Sequence, residues 1–278
     1  MSVPLLAGIA PLADRYDGYI LDLWGVLHDG AHPLPGAVDA LHRLREQGKH
    51  IVILSNAPRR AAAVIKRIEE IGISRGLYDE LLSSGEATWH WLKQGGMSGR
   101  RRLYPIMAER DASMLEGLDV DMAQTIAGAD FILNTGVESA NDRVEDFEDA
   151  LREAAARKLP MVCANPDLVV MHRGKMEICA GSIAQYYEEL GGQVHYFGKP
   201  HAPIYRDCFA LLKVTDRGRI LAVGDSLRTD IAGANAAGID GLWVLGGIHQ
   251  EEVTDGDLNR VIERQGVIPV AAVPVFRW

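Results

Sequence analysis

Short apolar runs, polar or glycine-rich turns and helical patterns follow one another along the chain. Tyr19-Ile20-Leu21 runs into Asp22, and after Pro35-Gly36 the residues Val38, Leu41 and Leu44 share one helical face, with Gly48 suited to the helix end. Ile51-Val52-Ile53-Leu54 is apolar at every position, as expected of a parallel strand buried on both faces, and stops at Ser55-Asn56. Pro58 predicts the start of a second helix, with Val64, Ile68 and Ile71 inward and Gly72 at its end. The alternation returns near the other end. His195-Tyr196-Phe197 precedes Gly198-Lys199-Pro200, a helical pattern carries Ile204, Cys208 and Leu211, and residues 220–223 precede Gly224-Asp225-Ser226. A short helix with Ala234, Ala236 and Ala237 and an apolar run over 242–245 complete it. Strands alternating with helices predict a doubly wound α/β fold, a mostly parallel sheet covered on both faces.

The middle of the chain has strand candidates of its own at 102–107, 131–133 and 161–163, with a charged helix predicted over 142–158. The expected organisation is a core of residues 1–85 and 191–278 and an inserted α/β cap domain over 86–190.

Composition narrows the class. At 47% hydrophobic and 24% charged the 278 residues suit an ordinary globular protein. Lys+Arg 29 against Asp+Glu 38 leaves a net charge of −9, which gives no long-range attraction to nucleic acid or an anionic membrane. No apolar run reaches the roughly 18 residues of a bilayer span, and the first residues lack the pattern of a secretory signal. Cys163, Cys179 and Cys208 form no C-x-x-C pair. They are expected to be buried thiols of a cytoplasmic protein, not disulfides, zinc ligands or nucleophiles.

Four polar clusters follow apolar runs: Asp22, Ser55-Asn56, Lys199, and Asp225 with Asp230. In an open parallel sheet the ligand crevice lies beyond the carboxyl ends of the strands. Carboxylates gathered there repel one another unless one is protonated or a divalent cation sits among them, and a hard oxygen site suits Mg²⁺. Taken singly, each residue also has an ordinary reading. Asp22, Asp225 and Asp230 can cap turns or helices, Ser55-Asn56 can be an N-cap, and Lys199 can be a surface lysine. Likewise Trp89 and Trp91 around His90 read as hinge packing, residues 100–102 as a solvated basic face, and Asn165 with Asp167 as an Asn-Pro-Asp turn.

Together, "YILDLWGVLHDG", "IVILSN", "FGKP" and "GDSLRTDIAGANAAG" resemble the four ordered motifs of the haloacid dehalogenase (HAD) superfamily. "LPGAVDAL" and "CANPD" resemble its class IIA, NagD-like branch, which has a large α/β cap between motifs two and three and includes sugar and nucleotide phosphatases. The resemblance implies Asp22 as the nucleophile of an aspartyl-phosphate mechanism. It implies Ser55 as a hydrogen-bonding partner of the phosphoryl group and Lys199 as its counter-charge. Asn56 and Asn165 would touch the substrate. Asp22, Asp225, Asp230 and the backbone carbonyl of Trp24 would hold Mg²⁺. The implied partner is a small phosphorylated metabolite, and a cap of this kind can also carry a homodimer interface.

One position departs from the pattern. Most phosphatases of the superfamily have a second aspartate two residues after the nucleophile, where this chain has Trp24. An indole N–H donates but does not titrate. Loss of a general acid commonly costs about 10²–10⁴-fold in rate. Three readings stay open. The substrate has a good leaving group; or His28, Asp29 or His32 supplies the proton; or the chemistry is not phosphate hydrolysis, the chain being a phospholigand-binding protein or, less favoured, a dehalogenase-like hydrolase.

Overall fold

The computed structural model describes residues 3–172, 175–246 and 258–278. In chain order the elements are β1 (Gly18–Leu21), α1 (Ala37–Glu46), β2 (His50–Ser55), α2 (Ala61–Glu70), β3 (Glu80–Ser83) and α3 (Ser84–Lys93). Then come β4 (Arg102–Ile106), β5 (Asp121–Met122), β6 (Phe131–Asn134), α4 (Glu148–Ala156) and β7 (Pro160–Cys163). They are followed by β8 (Val169–His172), β9 (Lys175–Ile178), α5 (Ala180–Glu189), β10 (Gln193–Tyr196) and α6 (Ala202–Leu212). The last are β11 (Ile220–Gly224), α7 (Ala232–Ala237), β12 (Asp240–Val244), α8 (Leu258–Gln265) and β13 (Ala271–Val273). Among the described residues no helix is long and apolar enough to cross a membrane.

The chain divides into two compact units. The first comprises Met1–Ser55, Ile65–Leu82 and Lys199–Trp278. Its sheet has the order β13-β12-β11-β1-β2-β3. β1 lies parallel between β2 and β11, with Leu21 paired to Ile53 on one side and Val223 on the other. All four residues of β1 and all five of β11 are buried, which is why these segments are apolar at every position. In α1 the buried set is Ala37, Ala40, Leu41 and Leu44, and the chain leaves the helix through Gly48 at φ 71°.

The second unit comprises Asn56–Val64 and Ser83–Gly198. Its parallel sheet has the order β10-β7-β6-β4-β5, and β8 and β9 form a separate antiparallel hairpin. Alternate residues feed two cores. Ile132, Met161 and Cys163 pack with Leu151, Ile183 and Tyr187 on one face, while Phe131, Leu133 and Val162 pack with Met97 and Leu103 on the other.

Some expectations need correction. The run at 195–197 is not a strand of the first sheet: β10 pairs with β7, and the second compact unit runs to Gly198. The second unit resumes at Ser83, and the stretch 56–64 belongs to it. Helix α2 begins at Ala61, not Pro58, because the Glu86 carboxylate accepts the Ala61 N–H at 2.8 Å and supplies the cap. The charged helix expected over 142–158 opens with a 3-10 turn, Val144–Phe147, before α4.

Candidate active site

Strand pairing brings the motifs of the first unit together. Asp22 leaves β1 with its N–H donated to the carbonyl of Val223 at 2.9 Å, so the chain still follows β11 at that point. Ser55 ends β2 and is buried, and Asp225 follows directly on β11. The three residues thus stand at the carboxyl ends of three adjacent parallel strands, where an open α/β sheet places its ligands.

Lys199 arrives by a different route, from a turn after Gly198 rather than from a strand of this sheet. Its Nζ lies 2.7 Å from Oδ1 of Asp22 and 2.7 Å from Oδ1 of Asp230. The lysine and Asp230 side chains are only 4% and 5% exposed, and that of Asp22 11%. Burial and the charge of Asp22 raise the Asp230 carboxyl above its ordinary range, while Lys199 pulls it down.

Surrounding residues set the acidic groups in place. Ligand atoms of Asp22, Asp225 and Asp230 all lie within 4.8 Å of one another. The indole N–H of Trp243 donates to the Asp225 carbonyl at 3.0 Å, and the backbone N–H of Ser226 donates to Asp230 Oδ2 at 3.1 Å. A Cβ at Gly224 would overlap the Asp230 carboxylate, so glycine is required there. Trp243, Gly224 and Tyr205, whose hydroxyl donates to the Asp230 carbonyl at 3.3 Å, escape sequence reasoning because they act across the fold without a local pattern.

The segment after Asp22 forms a tight turn, with the Leu27 and His28 N–H groups both donating to the Leu23 carbonyl. Trp24 is half-buried, meets the His28 ring edge-on at 5.4 Å, and packs on Gly30, where a Cβ would overlap the indole. His28 is buried and its Nδ1 accepts the Gly30 N–H at 2.9 Å, and burial pushes its pKa down to about 4. Asp29 Oδ1 accepts the N–H groups of His32 and Ala31, which hold its carboxyl below the usual range. Burial thus disfavours the imidazolium form of His28, and the two N–H groups favour the carboxylate form of Asp29, so neither environment favours a general acid. His32 is exposed.

Asn56 and Asn165 belong to the second unit. Asn56 donates through Nδ2 to Asp167 Oδ1 at 2.9 Å, and Asn165 Oδ1 accepts the Asp167 N–H at 2.9 Å, which closes an Asx turn. The structure thus brings Asp22, Lys199, Asp225 and Asp230 together, puts Ser55 on the neighbouring strand end, and ties Asn56 and Asn165 to Asp167. None of the three cysteines is in a disulfide and all are buried, and burial pushes the Cys179 thiol up to about 12 and Cys208 higher still.

A doubly wound sheet with a lysine and three carboxylates at its strand ends defines a class of phosphoryl-handling hydrolases, and the comparisons agree. Residues 19–121 match the family of haloacid dehalogenase-like hydrolases, and residues 196–264 match a second family of HAD-like hydrolases. A hydrolase of the haloacid dehalogenase-like family from Brucella suis 1330 has a solved structure that is 31% identical, with 98% of this chain and 99% of that one covered and a TM-score of 0.87. Chronophin of Bos taurus is 29% identical over 88% of this chain and 86% of its own. The ribonucleotide monophosphatase NagD of Escherichia coli K12 is 26% identical over 82% of this chain and 87% of its own. The chain belongs to the haloacid dehalogenase-like hydrolases, on the NagD-like class IIA branch.

Proposed function

We propose that this hydrolase is a Mg²⁺-dependent phosphatase of small phosphorylated metabolites, such as sugar or nucleotide phosphates, with Asp22 as its nucleophile and the second unit as its cap. The observation that carries the reading is the buried Lys199 ammonium, 2.7 Å from both Asp22 and Asp230. The phosphatase name of the NagD relative supports the reaction type. The buried cysteines, none of them in a disulfide, support a reducing, cytoplasmic setting.

The donor set fits the metal: three carboxylates within 4.8 Å are hard oxygen ligands, and their mutual repulsion calls for a cation. Asp22, Asp225 and Asp230, with the Trp24 carbonyl, would hold it. When bound, Mg²⁺ offsets the negative charge of the phosphoryl oxygens.

The chain's own groups then divide the reaction. Lys199 holds Asp22 Oδ1, so the carboxylate is oriented before substrate arrives. A carboxylate oxygen of Asp22 attacks phosphorus, the bond from phosphorus to the leaving oxygen breaks, and the departing group takes its electron pair. Lys199 and the Ser55 hydroxyl stabilise the charge on the transferring group. Water then hydrolyses the aspartyl-phosphate, releasing phosphate and restoring Asp22. Trp24 offers no proton to the leaving oxygen, which favours substrates whose leaving group departs as an anion.

The test is phosphate release from p-nitrophenyl phosphate and a panel of metabolite phosphates, in Mg²⁺ and in EDTA. Metal-dependent release that disappears in Asp22→Asn is expected. Silence on every substrate, with phospholigand binding retained in wild type, would replace the enzyme reading by a binding protein.

A further inference from the structure

In the parallel ladder of β11 and β12 the last register pair is Gly224 with Trp243, and Asp225 follows directly on β11. Trp243 is fully buried, and its indole N–H donates to the Asp225 carbonyl at 3.0 Å. Beyond the last paired residue of β11, then, a side chain of β12 holds the main chain that carries the Asp225 carboxylate.

The same indole belongs to a buried apolar cluster that reaches the segment carrying Asp230. Trp243 packs with Leu227 and Ile231, with Val261 and Ile262 of α8, and with Val267 and Ala272. Leu227 and Ile231 bound a wide helical turn, Leu227–Ile231, in which the N–H groups of Asp230 and Ile231 both donate to the Ser226 carbonyl, at 2.9 and 3.2 Å. A turn of this width is uncommon and occurs preferentially at functional sites. Asp225 and Asp230 are therefore carried by two segments that share one buried core.

Mg²⁺ demands ligands close to octahedral positions at short distance, whereas Ca²⁺ accepts more ligands, longer distances and irregular angles. Loosening one ligand therefore penalises Mg²⁺ more than Ca²⁺. Groups that orient a ligand from outside the coordination sphere commonly account for about 10–100-fold in metal affinity.

We propose that Trp243 is a positioning residue for the cation site: by holding the Asp225 carbonyl, its indole N–H sets the preference of the site for Mg²⁺ over Ca²⁺. The proposal rests on the reading of Asp22, Asp225 and Asp230 as metal ligands and adds the residue that makes their arrangement selective.

The test is calorimetric titration of the protein with Mg²⁺ alone and with Ca²⁺ alone, at neutral pH and without substrate, so that activity does not enter the readout. Trp243→Phe keeps a buried ring and removes the N–H donor. It is expected to raise the Mg²⁺ dissociation constant roughly tenfold or more and the Ca²⁺ constant much less, so that the ratio of the two moves toward Ca²⁺. Replacing Trp243 by benzothienylalanine, which exchanges the N–H for sulfur in a ring of similar shape, should give the same shift and decides the matter if the phenylalanine variant fails to fold. Val267→Ala trims the same cluster and removes no hydrogen-bond donor, so it lowers the melting temperature and leaves the ratio unchanged. Equal weakening of both ions by Trp243→Phe, an unchanged Mg²⁺ constant, or an equally large shift in Val267→Ala overturns the proposal and leaves the metal site standing. Failure of wild type to bind either ion overturns the metal reading itself and the proposal with it.

Discussion

A methyl group on Gly25 would lie 2.5 Å from Oδ2 of Asp225. The backbone there has φ 74°, a conformation that disfavours every residue with a Cβ. Gly25→Ala is expected to cost about 1–2 kcal/mol from the backbone alone, and to displace the Asp225 carboxylate as well. Thermal melts with and without Mg²⁺ check this. Wild type gains stability from the ion and the variant loses most of that gain, whereas an unchanged Mg²⁺ shift would mean that Asp225 moves aside without loss.

Removing Lys199 leaves Asp22 and Asp230 facing each other without their shared cation. Lys199→Met is expected to abolish phosphate release and, as the breaking of a buried ion pair, to destabilise by about 3–5 kcal/mol. Urea unfolding of Lys199→Met, Asp230→Asn and the double variant separates the effects. The double variant should lose less than the two single losses combined, because neutralising Asp230 relieves the repulsion. Strict additivity would show that the three groups are not coupled.

Glu86 gives stability a pH dependence of defined sign. Burial alone would raise its carboxyl, but the Arg60 guanidinium and the Ala61 N–H outweigh burial and hold it below 4.5 in the folded chain. A depressed folded pKa contributes stability above the unfolded value, and the contribution is lost as pH falls through 4.5 and then through the folded value. Glu86→Gln should therefore be less stable than wild type at pH 7, by about 1.5–3 kcal/mol for a hydrogen bond to a charged group. Denaturant titrations at pH 7 and pH 3.5 are expected to show the gap narrowing at the lower pH.

Trp24→Asp puts a titrating group two residues beyond Asp22. Release of phosphate from alkyl phosphates should rise by up to about 10²-fold, with a smaller gain on p-nitrophenyl phosphate, whose leaving group needs no proton. The variant also loses the packing on Gly30 and His28, so its melting temperature should fall. A uniform change across leaving groups would show that the proton is not limiting.

Much of the frame was legible because it is made of local signals. The runs ending at Asp22, Ser55 and Asp225 are apolar at every position, and that pattern belongs to central parallel strands buried on both faces. The run at 195–197 has the same local character, yet nothing within three residues says which sheet will take it, and β10 joins β7. β3 and β13 went unread as short edge strands, and the β8–β9 hairpin carries Glu177 and Lys175 where a strand pattern would show apolar residues. The meeting of Asp22, Lys199, Asp225 and Asp230 could be anticipated from their positions after apolar runs. The roles of Trp243 and Tyr205 could not, since each depends on a partner brought close only by folding.

β1 has a hydrogen-bonded partner strand on both sides. Its amide protons can exchange with solvent only when β2 or β11 separates from it, an opening close in free energy to global unfolding. Isotope labelling should find the backbone leading to Asp22 among the slowest-exchanging segments, while β13, at the sheet edge, exchanges sooner. The residue proposed to do the chemistry thus stands on a part of the chain that local fluctuations leave closed, so denaturant too dilute to unfold the whole domain should leave its geometry intact.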